Sequence, residues 1–380
     1  MRDGWVETTL DRVTECSWGN TETTKSKYVE SGYLAYSASG ADGFLDWFEH
    51  DRTAVVLSAI GAQCGKTWFA DGQWTSIKNT IWLKSDNLNL LDKYLFYLSN
   101  GDQFWQIRGQ AQPFISLGDV KKTKVLLPPL SEQKRIVNLI SSVDSYIEAL
   151  EQQLGSVRSA SNAHLEKIVS AFSDDWREIT LGEVLEISRG GSPRPIQEYL
   201  TDSEDGINWV KIADATRSEK YIYSTLQKIK REGISRSREV FSGDFVLSNS
   251  MSFGRPYIMR TDGCIHDGWL LLSKVSNNFD EDFLYNLLNS DYVQRQFESL
   301  AAGSGVRNLN IEVVKKVKVK IPTIEVQKEL ASVINEFDNF IIKLTKQIHS
   351  GLDLRQALLS DLLSGDHKIP ESYDKVMGAA

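Results

Sequence analysis

The sequence predicts an α+β protein: two pseudo-symmetric α/β domains joined by two long helices that form an antiparallel coiled coil. Two observations carry that prediction. Residues 120–150 read VKKTKVLLPPLSEQKRIVNLISSVDSYIEAL and residues 314–344 read VKKVKVKIPTIEVQKELASVINEFDNFIIKL. A shift of 194 thus sets Val120 on Val314, Lys121 on Lys315, Pro128 on Pro322, Gln133 on Gln327 and Asp144 on Asp338. A second echo sets GWVETTL (4–10) on DWREITL (175–181), with a shift of 171. A unit written twice is the mark of a duplicated structural module.

The elements follow in chain order. Residues 1–130 alternate short strand-like runs (Ala54–Ile60, Thr80–Lys84, Lys124–Leu127) with Gly, Asp and Ser turns at 39–43 and 71–72, interrupted by a helical stretch near 90–100. Such alternation reads as one mixed domain. Residues 131–173 open after Pro129 with Ser131-Glu132-Gln133, a hydroxyl cap and an early acid suited to a helix start. Apolar positions then fall at 136, 140, 143, 147, 150, 154 and 157, the 4-3 spacing of a coiled-coil seam. A helix over 131–171 would be about 60 Å long, a ruler with a domain at each end. Residues 174–324 repeat the first plan, with Trp209–Ile212, Phe245–Ser248 and Leu270–Val275 as strands and a helical Asp280–Leu300. Residues 325–365 repeat the helix, its seam running through Leu330, Ile334, Phe337, Ile341, Leu344 and Ile348 until Gly351 interrupts it. Residues 366–380 form a tail. A shared register favours pairing of the two helices, and a dyad between the copies would make them antiparallel. The alternative is that each helix only covers its own domain.

Composition bounds the class. A hydrophobic content of 41% and a charged content of 25% describe a globular chain, and 380 residues suffice for two domains. The three cysteines (Cys16, Cys64, Cys264) lack CxxC spacing, which argues for a reducing compartment and against a zinc site. MRDGWVETTL carries no apolar signal and no apolar run approaches bilayer length, so the cytoplasm is expected. The formal charge is −8, and no segment is basic overall. Nucleic-acid binding would then be local and base-directed, or partner subunits would supply the phosphate contacts.

The motifs point to loops that present cations. Gly61–Thr67 (GAQCGKT) follows an apolar strand and imitates a phosphate loop, but three residues separate its glycines where four are needed, and Trp68–Gly72 reads as strand and turn. The repeat offers a better reading: Leu57-Ser58 and Leu247-Ser248 are each followed by a small-residue loop ending in Gly65-Lys66 and Gly254-Arg255. Arg189 and Arg194 flank a Gly/Pro loop, and Gln227–Arg238 (QKIKREGISRSR) is the strongest basic run. Arg108-Gly109-Gln110 lines up with the loop that ends at Arg307; Arg and Gln side chains read base edges bidentately. His266-Asp267 is placed opposite Thr75-Ser76 of the first copy, as a contact pair or plain surface. No GxSxG, HExxH or paired metal carboxylates occur, so neither catalysis nor a metal site is expected. Trp5 and Trp176 are equivalent across the repeat and read as structural anchors.

These residues resemble the DNA specificity subunit of type I restriction-modification systems over nearly the whole chain. LLPPLSEQKRIV (126–137), VKIPTIEVQKEL (319–330) and LRQALLSDLLSG (354–365) resemble the family's conserved helical segments. Arg189–Pro193, Trp209–Asp214, Gly243–Ser248 and Ile77–Thr80 resemble recurrent segments of its recognition domains. The resemblance implies two target-recognition domains, at 1–130 and 174–324, each reading half of a bipartite target in double-stranded DNA. It implies no catalytic activity and no directly bound cofactor. Two methyltransferase subunits, which carry S-adenosylmethionine, and the restriction/translocase subunits would be partners. The expected DNA-binding residues are Lys66, Lys78, Arg108 and Gln110 in the first domain, and Arg189, Arg194, Arg255, His266 and Arg307 in the second. The alternatives are an adaptor whose two domains bind protein and, last, a nucleotide hydrolase built on Gly61–Thr67.

Overall fold

The computed structural model describes residues 4–86, 88–101, 104–170, 176–215, 220–249, 252–275, 278–302 and 308–376. The chain divides into two compact units, Met1–Glu151 with Gln347–Ala380 and Gln152–Lys346. Each unit holds one domain and one end of each long helix.

In the first unit, Ala54–Ser58 sits inside a four-stranded sheet ordered Thr14–Trp18, Thr80–Ser85, Ala54–Ser58, Thr67–Ala70. Every residue of this strand is buried, which explains why AVVLS is apolar throughout rather than alternating. Val55 and Leu57 point to a core shared with the helix Asp92–Ser99. Val56 points the other way, to Tyr36, Trp74 and Trp82. The second layer there is a sheet ordered Gly40–Leu45, Tyr33–Ser37, Gln73–Ser76, His50–Asp51, with one parallel pair between Tyr33–Ser37 and Gln73–Ser76. The layers are therefore helix, sheet, sheet.

The second unit repeats this plan. Phe245–Ser248 lies between Trp269–Ser273 and Pro256–Met259, with Phe245 and Leu247 facing one core and Val246 the other. Its second sheet keeps the single parallel pair, here Ile207–Val210 with Gly263–Ile265. The two sequence echoes turn out to be partners. Val6–Thr9 pairs antiparallel with Lys124–Leu127, and Arg177–Thr180 with Lys318–Ile321, so one ribbon closes each domain. The longer second copy adds the strands Leu200–Thr201 and Tyr221–Ile222 and the helix Asp291–Ala302. Expected Asp280–Leu300 is two helices, Glu281–Asn289 and Asp291–Ala302, broken at Ser290, whose hydroxyl donates to the Leu287 carbonyl.

The repeated glutamine has a structural job. Gln133 is fully buried; its amide donates to the carbonyls of Asn89 (2.8 Å) and Pro128 (2.9 Å), and its oxygen accepts from the Leu91 N–H (3.0 Å). Gln327 does the same with Asn278 (3.1 Å), Pro322 (3.1 Å) and the Asp280 N–H (2.9 Å). Each side chain fastens a long helix to the start of its domain's own helix.

The long helices run Leu130–Ser170 and Ile324–Ser364. The first begins directly after Pro129, so Ser131 lies inside it rather than capping it; the Pro129 carbonyl accepts from Glu132 and Gln133. Within the first unit Asp144 bonds Arg355 and Ile147 touches Gly351, while Ile136, Ile140 and Leu362 share the domain core. Within the second, His164 stacks near Phe337, and Leu165 and Ile168 pack beside Ile334 and Ala331. In each unit partner numbers fall as the first helix's numbers rise, so the helices are antiparallel and also cover their domains. Gly351 does not end the seam. It is buried, and Ile147 Cγ1 lies 3.0 Å from where a Cβ would stand, so the missing side chain lets the helices meet. The tail is packed too: Ile369 is buried in the first unit's core, and Asp374 forms a bidentate pair with Arg135 (2.7 and 2.8 Å).

Candidate nucleic-acid interface

Both domains present loops at one end of the buried central strand, and the backbone aligns them pair by pair. Ser58 N–H donates to the Lys66 carbonyl (2.8 Å) as Ser248 does to Arg255 (3.1 Å). Gly65 and Gly254 both hold positive φ (94° and 72°) and donate back to Ser58 and Ser248. Lys66 and Arg255 thus top equivalent hairpins, both exposed; the Arg255 guanidinium lies 5.2 Å from the Tyr257 ring centroid. Thr67–Ala70 follows Lys66 as a strand. The GKT segment therefore has no helix N-terminus to hold phosphate, which removes the structural basis of a nucleotide hydrolase.

The next loop corrects the alignment of the histidine. Asn20 N–H donates to Ser76 as Gly191 does to Ile265; Ile77 N–H donates to Tyr36 as His266 does to Val210; Ala59 N–H donates to Asn79 as Asn249 does to Gly268. His266-Asp267 therefore stands opposite Ile77-Lys78, not Thr75-Ser76. The two copies differ in length between their matched motifs, so the backbone hydrogen bonds, not the spacing along the chain, fix this correspondence. At one equivalent position the first domain presents Lys78, exposed, and the second presents Asp267.

Asp267 organises its surroundings. Its carboxylate accepts from the Ser192 hydroxyl (2.7 Å) and from Arg194 (3.5 Å); its carbonyl accepts from Arg189 Nε (3.2 Å) and Asn249 (2.9 Å). The Ser192 hydroxyl holds the Asp267 carboxyl below the usual range, with His266 and Arg194 adding to it. Three of the expected residues, Arg189, Arg194 and His266, thus converge on Asp267. His266 Nδ1 accepts from the Gly268 N–H (2.7 Å), so its proton sits on Nε2. Burial pushes its pKa down, and Lys211 acts in the same direction.

In the first domain Arg108 and Gln110 lie on the loop that returns through Phe114 to Ile60 and are exposed. Arg108 is tied to Asp119 (2.5 Å). Asp119 also closes a capping box with Ser116 at the following helix, so the Arg108 charge is partly neutralised. Arg307 lies outside the described residues. The basic run is a strand, a 3₁₀ turn (Arg231–Arg236) and a strand, not a helix face. Lys228 and Lys230 donate to the carbonyls of Glu204 and Glu198. Sequence reasoning missed Asp267 as an organiser and Lys211 altogether. A turn acid and a lone lysine between the strand Ile207–Val210 and the short helix Ile212–Ala215 carry no periodic signal.

A duplicated frame with unlike tips, each copy fastened by the same glutamine to a shared helix pair, defines a two-domain recognition protein. The type I restriction modification DNA specificity domain matches the chain twice, at residues 3–157 and 173–353, and the chain belongs to that family. It is 24% identical to the MjaVIII specificity subunit of Methanocaldococcus jannaschii, over 83% of this chain and 79% of that one. It is 23% identical to the EcoBI specificity subunit of Escherichia coli, over 94% and 79%. The fold matches the S subunit of a type I system from M. genitalium (TM-score 0.59, 18% identity, 94% of this chain and 96% of that). It also matches a chain from a structure of type I R-M complex assembly and conformational transition (TM-score 0.63, 17% identity, 97% and 99%). No helix among the described residues is long and apolar enough to cross a membrane.

Proposed function

We propose that this chain is the DNA-reading subunit of a cytoplasmic type I restriction-modification complex and catalyses nothing itself. Each domain reads one half of a bipartite double-stranded target in the major groove, and the helix pair sets the gap between halves. Two methyltransferase subunits, carrying S-adenosylmethionine and extruding the target adenine, and the restriction/translocase subunits assemble on it. They supply most phosphate contacts, which is compatible with a chain of net charge −8. The single observation that supports this most is the equivalent turn carrying Lys78 in one copy and Asp267 in the other. A lysine offers donors to guanine O6 and N7 and a carboxylate accepts from cytosine N4, so one scaffold with opposite tips suits two different half-sites.

The test is to exchange residues 176–321 for the corresponding module of another family member and to map the methylated adenines in host DNA. One half of the target should change while the other half and the gap persist. A change in both halves, or in neither, would overturn the proposal. Within each domain, Lys66, Lys78, Arg108, Gln110, Arg189, Arg194, Arg255, His266 and Arg307 are the contact candidates. An alanine at a base contact should relax one target position by about 1–3 kcal/mol, and at a phosphate contact should weaken all sequences alike.

A further inference from the structure

The second domain holds an open cleft of about 860 Å³ beside its tip, within the size range of ligand sites. Trp209 forms its buried floor with Ile229 and Cys264 behind it. His266, Lys211 and Gln227 stand around that floor, and Arg194 and Gln197 lie on the rim. The side chains of Lys211, Gln227 and Gln197 make no hydrogen bond or ion pair among the described residues, although two of them are half-buried. An apolar aromatic floor ringed by amides and an ammonium that no other group among the described residues engages leaves those donors and acceptors available to water or to a ligand.

The first domain shows the same place closed. The registers make Ala35 equivalent to Trp209, Gly43 to Gln227, Ile77 to His266 and Ser37 to Lys211. There Tyr28 lies flat on Gly43, so close that a Cβ on that glycine would stand 2.1 Å from the ring, and with Trp47 it caps Ala35, Leu45 and Ile77. The polar groups are wired together as well. Asp42 accepts from the Tyr28 hydroxyl (2.8 Å), the Ser37 hydroxyl (2.8 Å) and Lys25 (2.5 Å). One copy closes the position with a planar ring from its own chain, held by the Asp42 carboxylate. The other places Gln227, His266 and Lys211 there, and although Tyr199 packs against the same cluster, no tyrosine lines the open cleft over Trp209.

We propose that the second domain's cleft binds a nucleobase as a planar ring over Trp209, with the Gln227 amide and the His266 Nε2 proton meeting its edge and Lys211 and Arg194 meeting its phosphate. This deepens the DNA-reading assignment, on which it rests for the choice of a base over other planar rings. The base comes either from a nucleotide unstacked from the duplex or from a free nucleotide, and the two sources separate in experiment.

The probes are the four deoxynucleoside monophosphates, titrated calorimetrically into the full chain, and target duplexes with 2-aminopurine placed singly along the second half-site, whose fluorescence rises on unstacking. Gln227→Trp fills the cleft from a strand position, and His266→Ile installs the first domain's residue. Saturable monophosphate binding that falls at least tenfold in both variants places a free nucleotide there. A fluorescence rise at one position, absent in both variants, places an extruded base there. If the wild type binds its target duplex with flat fluorescence at every position and binds no monophosphate, the cleft proposal is overturned while the DNA-reading assignment stands. Binding or brightening that survives in both variants overturns it too. Absence of specific duplex binding by the wild type even when assembled with its methyltransferase subunits removes the DNA-reading assignment instead, and the monophosphate titration still decides the cleft.

Discussion

At the tip turn the first domain carries Ile77 and Lys78, and the second carries His266 and Asp267, although the backbone hydrogen bonds on both sides of the turn are equivalent. Below the turn the domains agree: a buried strand between two cores, one parallel pair in the outer sheet, a closing ribbon, and a glutamine fastening the long helix. The contrast shows where the duplicated chain is constrained. Positions that fix backbone or fill both faces of a sheet keep their chemistry. Positions that only need to leave a turn are free to reverse charge.

The largest effect that would break this comparison lies at the glutamines. Each is buried and satisfies three backbone groups. Gln133→Ala or Gln327→Ala leaves those groups without partners in a dry site, a loss of about 3 kcal/mol at 1–3 kcal/mol per orphaned group after partial relaxation. Denaturant unfolding of each variant should show it, and hydrogen exchange should place the loss in the first unit for Gln133 and the second for Gln327. Equal stability to the parent protein would mean that the shared glutamine is not what holds helix to domain.

A smaller effect separates the two helices by their glycines. Gly155 on the first long helix has nothing within 4 Å of an added Cβ, whereas Gly351 on the second meets Ile147 at 3.0 Å. Gly155→Ala should stabilise by about 1 kcal/mol, the ordinary helix gain over glycine. Gly351→Leu should cost about 2 kcal/mol by overpacking the seam. Melting temperatures of the two variants should move in opposite directions; movement in the same direction would show that the seam is not tight at Gly351.

How much of this was legible follows from where each signal sits. The duplication, the antiparallel seam and strands such as Lys124–Leu127 and Phe245–Ser248 were readable, because periodicity and repetition are one-dimensional. Gly351 was misread as a break, because a helical glycine looks the same whether it weakens a helix or admits a neighbour. Ser131 looked like a cap because hydroxyls cap helices, but the Pro129 carbonyl had already begun the helix. At the site, Lys66 and Arg255 were matched correctly from their glycines, since a positive φ leaves a residue-type signature. The tie of Arg108 to Asp119 and the gathering of Arg189 and Arg194 around Asp267 were out of reach. They join residues many positions apart through side chains whose direction no local pattern fixes.

The smallest effect concerns pH and distinguishes the tips themselves. In the second domain the Gly268 N–H points at His266 Nδ1, so the native turn requires a neutral imidazole, and burial holds its pKa below the ordinary value. The native state then takes up fewer protons than the unfolded chain as pH falls below about 6.5. The turn's contribution is complete above that value and is lost as pH falls toward the depressed native value. The first domain has Ile77 at this position and nothing to titrate. Its half-buried His50, pushed down to about 4 by burial with Lys84 adding to it, titrates elsewhere, between Trp74 and Trp82. Hydrogen exchange of the 263–273 segment should therefore quicken between pH 7 and pH 5.5, after correction for intrinsic rates, and His266→Ile should abolish that change. If the segment exchanges at a constant corrected rate in the parent protein, the turn is held by Asp267 and Ser192 alone, and the histidine is free to face a ligand without regard to its own protonation.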